Sequence, residues 1–326
     1  MREAAGEADT SVHDTLYGWF AAHPPEQDAD GVLAMHALHG SDRTRALEPL
    51  LAAARYRELR YDYTGADRFL RDALRLLDDA DTDRRFEVLS SLGQLNNILG
   101  RRSDEEEFLE EMLLLAAQSN SPTRLANVYR SQTEYYLSTG EFDRARRSAE
   151  KALGYFTEVD DASGQAWCHQ KIGFVEYRTR PGERVLEHYQ KALALFSAQQ
   201  ADIAQGSILI DIGLVYYSIL ENPEKAIEQF QQARETFERA GYRRGIIRAS
   251  GNMGAQYYSL GRYEDALERH TEANALARDL GDRRMLATSA GSMGQCEIAL
   301  CRYSPALLHL EEELRIEQER DDRYLQ

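Results

Sequence analysis

A two-helix signature that returns about every forty residues, seven times over, constrains this 326-residue chain more than any other feature. One position in the middle of the second helix of each unit falls at Ala73, Met112, Ala152, Ala192, Ala233, Ala273 and Glu313, at intervals of 39, 40, 40, 41, 40 and 40. A unit this short cannot bury its apolar face alone. At a fixed period each unit buries it against its neighbours, so the chain is expected to stack as an open array and not to form two ordinary globular domains.

The clearest unit spans about residues 243–282. It reads Met253-Gly254-x-x-Tyr257, then Gly261-x-Tyr263, then Ala266-x-x-x-His270-x-x-Ala273, which sets apolar or small residues at helical spacing on two antiparallel helices. Gly254 lies in the middle of the first helix, where glycine costs about 1 kcal/mol against alanine, so a close helix–helix approach is its expected reason. Gly261 breaks the chain between the helices, and Gly281-Asp282 stops the second helix and offers a cap to the next. The preceding unit repeats the logic with Ile212-Gly213-x-x-Tyr216, Ala226-x-x-x-Phe230 and Ala233, adding one residue in the Glu221-Asn222-Pro223 turn.

These residues resemble the tetratricopeptide repeat, whose W-x2-L-G-x2-Y, A-x3-F and proline pattern occupies about 34 residues. Here the period is forty and the closing proline is missing, as in the extended repeats of bacterial signalling proteins. The resemblance covers about residues 41–322. It implies an all-α fold, a right-handed superhelical solenoid of about seven antiparallel helix pairs. Other units depart from the pattern by degrees: Glu105 and Met112 replace small residues in the second, Val185 replaces an alanine in the fourth, and Glu313 replaces one in the last. The charges around Glu313 mark either a polar terminal cap or a truncation.

Residues 1–11 read as a disordered acidic tail, and residues 12–40 as a short helical segment outside the repeat pattern. Leu33-Ala34-Met35-His36, Gly40-Ser41-Asp42, Ala46 and Leu50-x-x-Ala53-Ala54 are similar to the junction at which the helical segment after the ATPase meets the repeats in bacterial signal-transducing ATPases. Residues 41–326 form the array. The junction implies one segment of a larger regulator with its ATPase N-terminal to it, since no G-x-x-x-x-G-K-[ST] loop is present here.

A search for chemistry returns little. The eight histidines give no HExxH pair; His36 and His39 are the only close couple and read as packing or capping residues. Cys168, Cys296 and Cys301 form no CxxC and read as buried small residues. No nucleophile elbow or dinucleotide fingerprint occurs, so no catalytic residue, cofactor or metal is assigned. Acidic runs such as 104–107 read as solvated helix faces. The net charge of −16 argues against a nucleic-acid backbone binder, and no apolar run approaches the ~18 residues of a membrane span. With no secretory signal at its start, the chain reads as cytoplasmic.

What remains is recognition. In tetratricopeptide arrays the first helix of each pair lines the concave face, and its exposed positions here would be Arg130 and Glu134, then Gln170, Phe174, Tyr177 and Arg178, then Ile210, Asp211 and Tyr217, then Arg248, Asn252 and Tyr258. Aromatics beside arginine and amide groups suit a protein or peptide partner, with a small-molecule effector as a further option. Two functional readings stay open: a non-catalytic interaction or ligand-sensing module of a multidomain bacterial signalling or transcriptional regulator, and a freestanding peptide-binding adaptor or receptor. Leu307, Leu308 and Leu310 offer an apolar edge for self-association.

Overall fold

The computed structural model describes the backbone of residues 2–324 and the side chains of residues 10–96, 98–101 and 104–319. Among the described residues it holds sixteen α-helices and one short 3-10 turn, with no strand. From the third helix onward they run as seven consecutive pairs: α3 (Leu47–Leu59) with α4 (Tyr63–Leu76), α5 (Thr82–Leu99) with α6 (Arg102–Gln118), α7 (Pro122–Thr139) with α8 (Phe142–Glu158), α9 (Ala162–Thr179) with α10 (Arg184–Ala198), α11 (Asp202–Ser218) with α12 (Pro223–Arg239), α13 (Arg243–Ser259) with α14 (Tyr263–Leu280), and α15 (Arg283–Ala299) with α16 (Tyr303–Tyr324). The chain divides into two compact units, 1–155 and 156–326, and each is described separately.

Unit 1 opens with α1 (Arg2–Ala22) and α2 (Ala29–His39), followed by the 3-10 turn Arg43–Ala46. The expected disordered tail is thus corrected over residues 2–11, which carry helical backbone; Met1 lies outside the described residues. Helix formers explain the difference, because Ala4, Ala5 and Ala8 alternate with Glu3 and Glu7. Ala34 and Ala37 of α2 join Ala46, Leu50 and Ala73 in one core cluster, seating the N-terminal helices on the first pair. Asp14 reinforces this by accepting from the Ser41 backbone N–H at 3.1 Å. A larger cluster built on Leu70, Leu89, Leu92, Phe108 and Met112 spans the first and second pairs.

The turns carry the same period as the core. Between pairs, Asn120, Asp160, Gln200, Gly241 and Gly281 adopt positive φ; within pairs, Tyr61, Gly100, Gly140, Glu221, Gly261 and Cys301 do. Each such residue ends a helix in the left-handed region, and five of the eleven are glycines, the residue that enters this region without a Cβ penalty. The next helix is then capped by a side chain in several pairs: Ser121, Asp161, Asn222 and Asp282 accept from the N–H three residues on. Cys301 sits in one of these turns and is exposed, unlike Cys168 and Cys296, so the expectation of three buried cysteines holds for two.

Packing within each pair of unit 2 depends on a glycine set against a large side chain. A Cβ on Gly173 would lie 2.7 Å from the Tyr189 ring, on Gly213 2.5 Å from Phe230, on Gly254 2.6 Å from His270, and on Gly294 2.8 Å from Leu310. Phe237 of α12 is the large partner twice, 2.6 Å from a Cβ at Gly206 within its own pair and 2.4 Å from one at Gly245 in the next. Glycine is therefore required in mid-helix because the facing ring occupies the Cβ volume, and its propensity cost is offset by aromatic burial. In unit 1 the sizes are exchanged: Thr133 occupies the glycine position of α7 and Ala149 the aromatic position of α8, both fully buried.

Six of the seven residues that define the repeat, Ala73 to Ala273, are buried, whereas Glu313 is half-buried. Glu105 is buried in the alanine column and so departs from the solvated face read from the 104–107 run. Its neighbours Asp104 and Glu106 pair with Arg71 at 2.7 Å and Arg144 at 3.0 Å. In α16 Leu307 and Leu308 are exposed, while Leu310 packs toward Gly294. Truncating Phe237 removes the side chain shared by two neighbouring pairs. Phe237→Ala should destabilise the protein by about 3–5 kcal/mol in chemical denaturation, and a loss below about 1 kcal/mol would contradict the shared-ring packing.

Candidate ligand-binding surface of the first helices

The first helices α5, α7, α9, α11, α13 and α15 present to solvent the side chains that the pair packing leaves over. In unit 2 the glycines set the register: two residues before each stand Lys171, Asp211, Asn252 and Ser292, three before stand Gln170, Ile210, Gly251 and Gly291, and one after stand Phe174, Leu214, Ala255 and Gln295. Ile210 is a correction to the expected surface. Its apolar side chain is buried with Leu209, Phe230, Phe237, Ala249 and Met253, because at this register position an aliphatic residue folds into the core where Gln170 stays half-exposed.

The remaining expected positions separate into three groups. On α7, Arg130 and Glu134 line a cavity of about 550 Å³ in unit 1, together with Ser90 and Gln94 of α5 and Asn127 and Ser131 of α7. On α9 and α11, Gln170 donates to Asp211 at 3.4 Å and the Tyr177 hydroxyl meets that of Ser218 at 3.0 Å, while Phe174, Arg178 and Tyr217 are exposed. On α13, Arg248, Asn252 and Tyr258 line a second cavity of about 540 Å³ in unit 2, which continues onto Arg284, Thr288, Ser292 and Gln295 of α15.

The α15 residues escaped the sequence reading, as did Ser90, Gln94, Asn127 and Ser131. The period itself could have found them: forty residues separate Arg248 from Thr288, Asn252 from Ser292 and Arg130 from Ser90. Gly251 and Ala255 open the unit 2 cavity. A Cβ on Gly251 would meet nothing within 4 Å, whereas the matching positions one pair earlier carry Ile210 and Leu214. The floor is apolar or neutral, with Ile247, Ala273 and His270 buried. Burial holds the His270 imidazole down at about 4, so it is uncharged at neutral pH.

Histidines distant in sequence also meet. His13 Nδ1 lies 2.9 Å from His36 Nδ1, with the His39 ring centroid 5.2 Å from that of His13, and His169 Nδ1 lies 3.1 Å from His188 Nδ1. The 23- and 19-residue separations hid both pairs from the spacing rules. Among the described residues no group of three or more His, Cys, Asp or Glu is arranged to hold a metal ion.

Asp211 is the most perturbed acid on this surface. Burial pushes its carboxyl up to about 6, against the opposing pull of the Gln170 amide and the positive charges of Arg248 and Lys171. A carboxyl whose folded pKa is raised binds protons more tightly folded than unfolded, so its contribution to stability falls as pH rises from about 4 to about 6. Asp211→Asn should therefore be more stable than the parent at pH 7.5 by about 1–3 kcal/mol, with the difference vanishing near pH 4. Thermal unfolding at both pH values checks this, and a variant less stable at pH 7.5 would contradict it.

This architecture, helix pairs packed by glycine against large side chains with a first-helix surface left free, defines a tetratricopeptide-like helical repeat fold. The tetratricopeptide repeat model matches residues 245–319. The chain is 27% identical over 176 residues, 50% of its length, to the kinesin light chain-related protein 1 of Arabidopsis thaliana, and spans 28% of that relative. Two solved structures share the fold. A signal transduction ATPase with numerous domains and a tetratricopeptide repeat sensor, from Pyrococcus horikoshii, has a TM-score of 0.70 at 18% identity over 90% of this chain and 45% of that one. The apo form of RapI has a TM-score of 0.68 at 17% identity over 84% of this chain and 77% of that one. No helix among the described residues is long and apolar enough to cross a membrane.

Proposed function

We propose that this chain is a non-catalytic interaction and ligand-sensing module of a multidomain bacterial signalling or transcriptional regulator, acting in the cytoplasm through the surface of its first helices. The observation that carries the proposal is the run of exposed aromatics Phe174, Tyr217 and Tyr258 on three consecutive first helices, set among Arg178, Arg248 and Asn252. Large apolar side chains held at a surface by a packed scaffold, with amide and guanidinium groups beside them, suit a peptide or protein partner. The sensor domain named in the Pyrococcus ATPase supports the regulator context, as does the resemblance of residues 12–40 to the junction after an ATPase module, with residues 41–326 as the sensing array. A structure of a Rap protein complexed with competence and sporulation factor, alike in fold at a TM-score of 0.58, supports a bound signalling factor as the type of partner.

The experiment is a peptide-array binding assay with the parent chain, with Arg178→Ala combined with Tyr217→Ala, and with Gln232→Ala on the exposed side of α12. The first-helix double variant should lose at least tenfold in affinity, about 1.4 kcal/mol, with the α12 variant unchanged. Binding that survives the first-helix changes but not the α12 change would move the interaction surface to the second helices.

A further inference from the structure

The unit 2 cavity carries a charge arrangement that the packing of the array does not use. In a chain of net charge −16, arginines readily find carboxylates, and those near this cavity do so: Arg243 pairs with Asp279 at 2.9 Å, Arg244 with Asp282 at 3.4 Å, and Arg283 with Glu319. Arg248 and Arg284, one on each wall of the cavity, are the exceptions. Among the described residues neither guanidinium makes a hydrogen bond or ion pair, and both are exposed at the rim above a floor of Ile247, Ala273 and Met285. The acid whose charge interacts with Arg248 is Asp211 on α11, and it accepts its hydrogen bond from Gln170 instead.

We infer that this cavity between α13 and α15 binds a compact amphiphilic anion, its carboxylate or phosphate group held by Arg248 and Arg284 and its apolar body seated on Ile247, Met285 and the Ala255 wall. The inference rests on the ligand-sensing reading above and gives it a site and a ligand class. Guanidinium groups present two parallel N–H donors that match the oxygens of either anion. The amides of Asn252 and Gln295 line the same space and supply further donors. A volume of about 540 Å³ lies within the range of small-ligand sites, and the side-chain-free Gly251 keeps it open. A peptide lying along successive first helices would not need this pocket, whereas an anion carrying a ring or short alkyl body fills it.

The test is isothermal titration calorimetry of the full chain with phenyl phosphate, 4-methylbenzoate, inorganic phosphate and uncharged benzyl alcohol. The variants are Arg248→Gln, Arg284→Gln, Gly251→Leu and, as a control on α3, Arg55→Gln. The two aromatic anions should bind with sub-millimolar affinity and the alcohol and bare phosphate at least tenfold more weakly, and the tighter anion identifies the headgroup. Each cavity arginine variant should weaken binding at least tenfold, Gly251→Leu should abolish it by filling the space, and Arg55→Gln should leave it unchanged. Gly251→Leu keeps a good helix former at a position with room for it, so its loss of binding is not a loss of folding, which circular dichroism verifies. Bare phosphate binding as well as the aromatic anions, or binding indifferent to Gly251→Leu, would overturn the cavity. No binding by any anion, with array peptides still bound through Arg178 and Tyr217, would overturn this inference and leave the interaction module standing; failure of both assays would overturn both.

Discussion

The contact on which the array depends is a glycine of one helix pressed against a large side chain of another. Gly213 with Phe230 and Gly173 with Tyr189 close their pairs, and Phe237 wedged against Gly206 and Gly245 joins one pair to the next. Each ring lies where a Cβ would stand, so the helix axes approach closely and the aromatic surface leaves water almost completely. At about 25 cal/mol per Å² of apolar area, a buried phenylalanine outweighs the ~1 kcal/mol that glycine costs a helix. Because the same exchange recurs in every pair of unit 2, stability there is spread along the stack as a sum of neighbour contacts and not gathered in one core.

That contact also explains where the binding surface lies. The second helices and one side of the first helices are consumed by glycine–ring and alanine-column packing, which leaves the opposite side of the first helices to carry whatever the partner requires. Substitutions on that side do not change the stack, so Gln170, Ile210 and Gly251 occupy one register position with three different fates: a hydrogen bond to Asp211, a place in the core, and the opening of a cavity. Asp211 is held there against its desolvation, an arrangement that packing alone does not favour and that fits a group retained for recognition.

The fold was legible because its determinants are local and periodic. The forty-residue spacing of Ala152, Ala192, Ala233 and Ala273 requires only that each be small, and Gly261 and Gly281 announce the turns that their positive φ confirms. The surface was legible in part. Arg248, Asn252 and Tyr258 lie on one cavity as their helical spacing predicts, but Ile210 was misplaced because its exposure depends on neighbours in two other helices. Arg284 was missed because nothing near it in sequence distinguishes it from Arg283; only its want of a carboxylate, a tertiary fact, sets it apart. The imidazole pairs His13–His36 and His169–His188 are hidden for the same reason, since each joins different helices.

The measurement that bears most directly on the glycine–ring contact is a double-mutant cycle on Gly213→Ala and Phe230→Ala, read by chemical denaturation. Alanine at 213 would set its Cβ 2.5 Å from the ring as it stands in the parent, but has room once the ring is removed by alanine at 230. The two changes should therefore couple by about 1–3 kcal/mol, the double variant being more stable than the sum of the single losses. Additive losses, with a coupling below about 0.5 kcal/mol, would show that Gly213 and Phe230 act independently and that close approach is not what holds the pairs together.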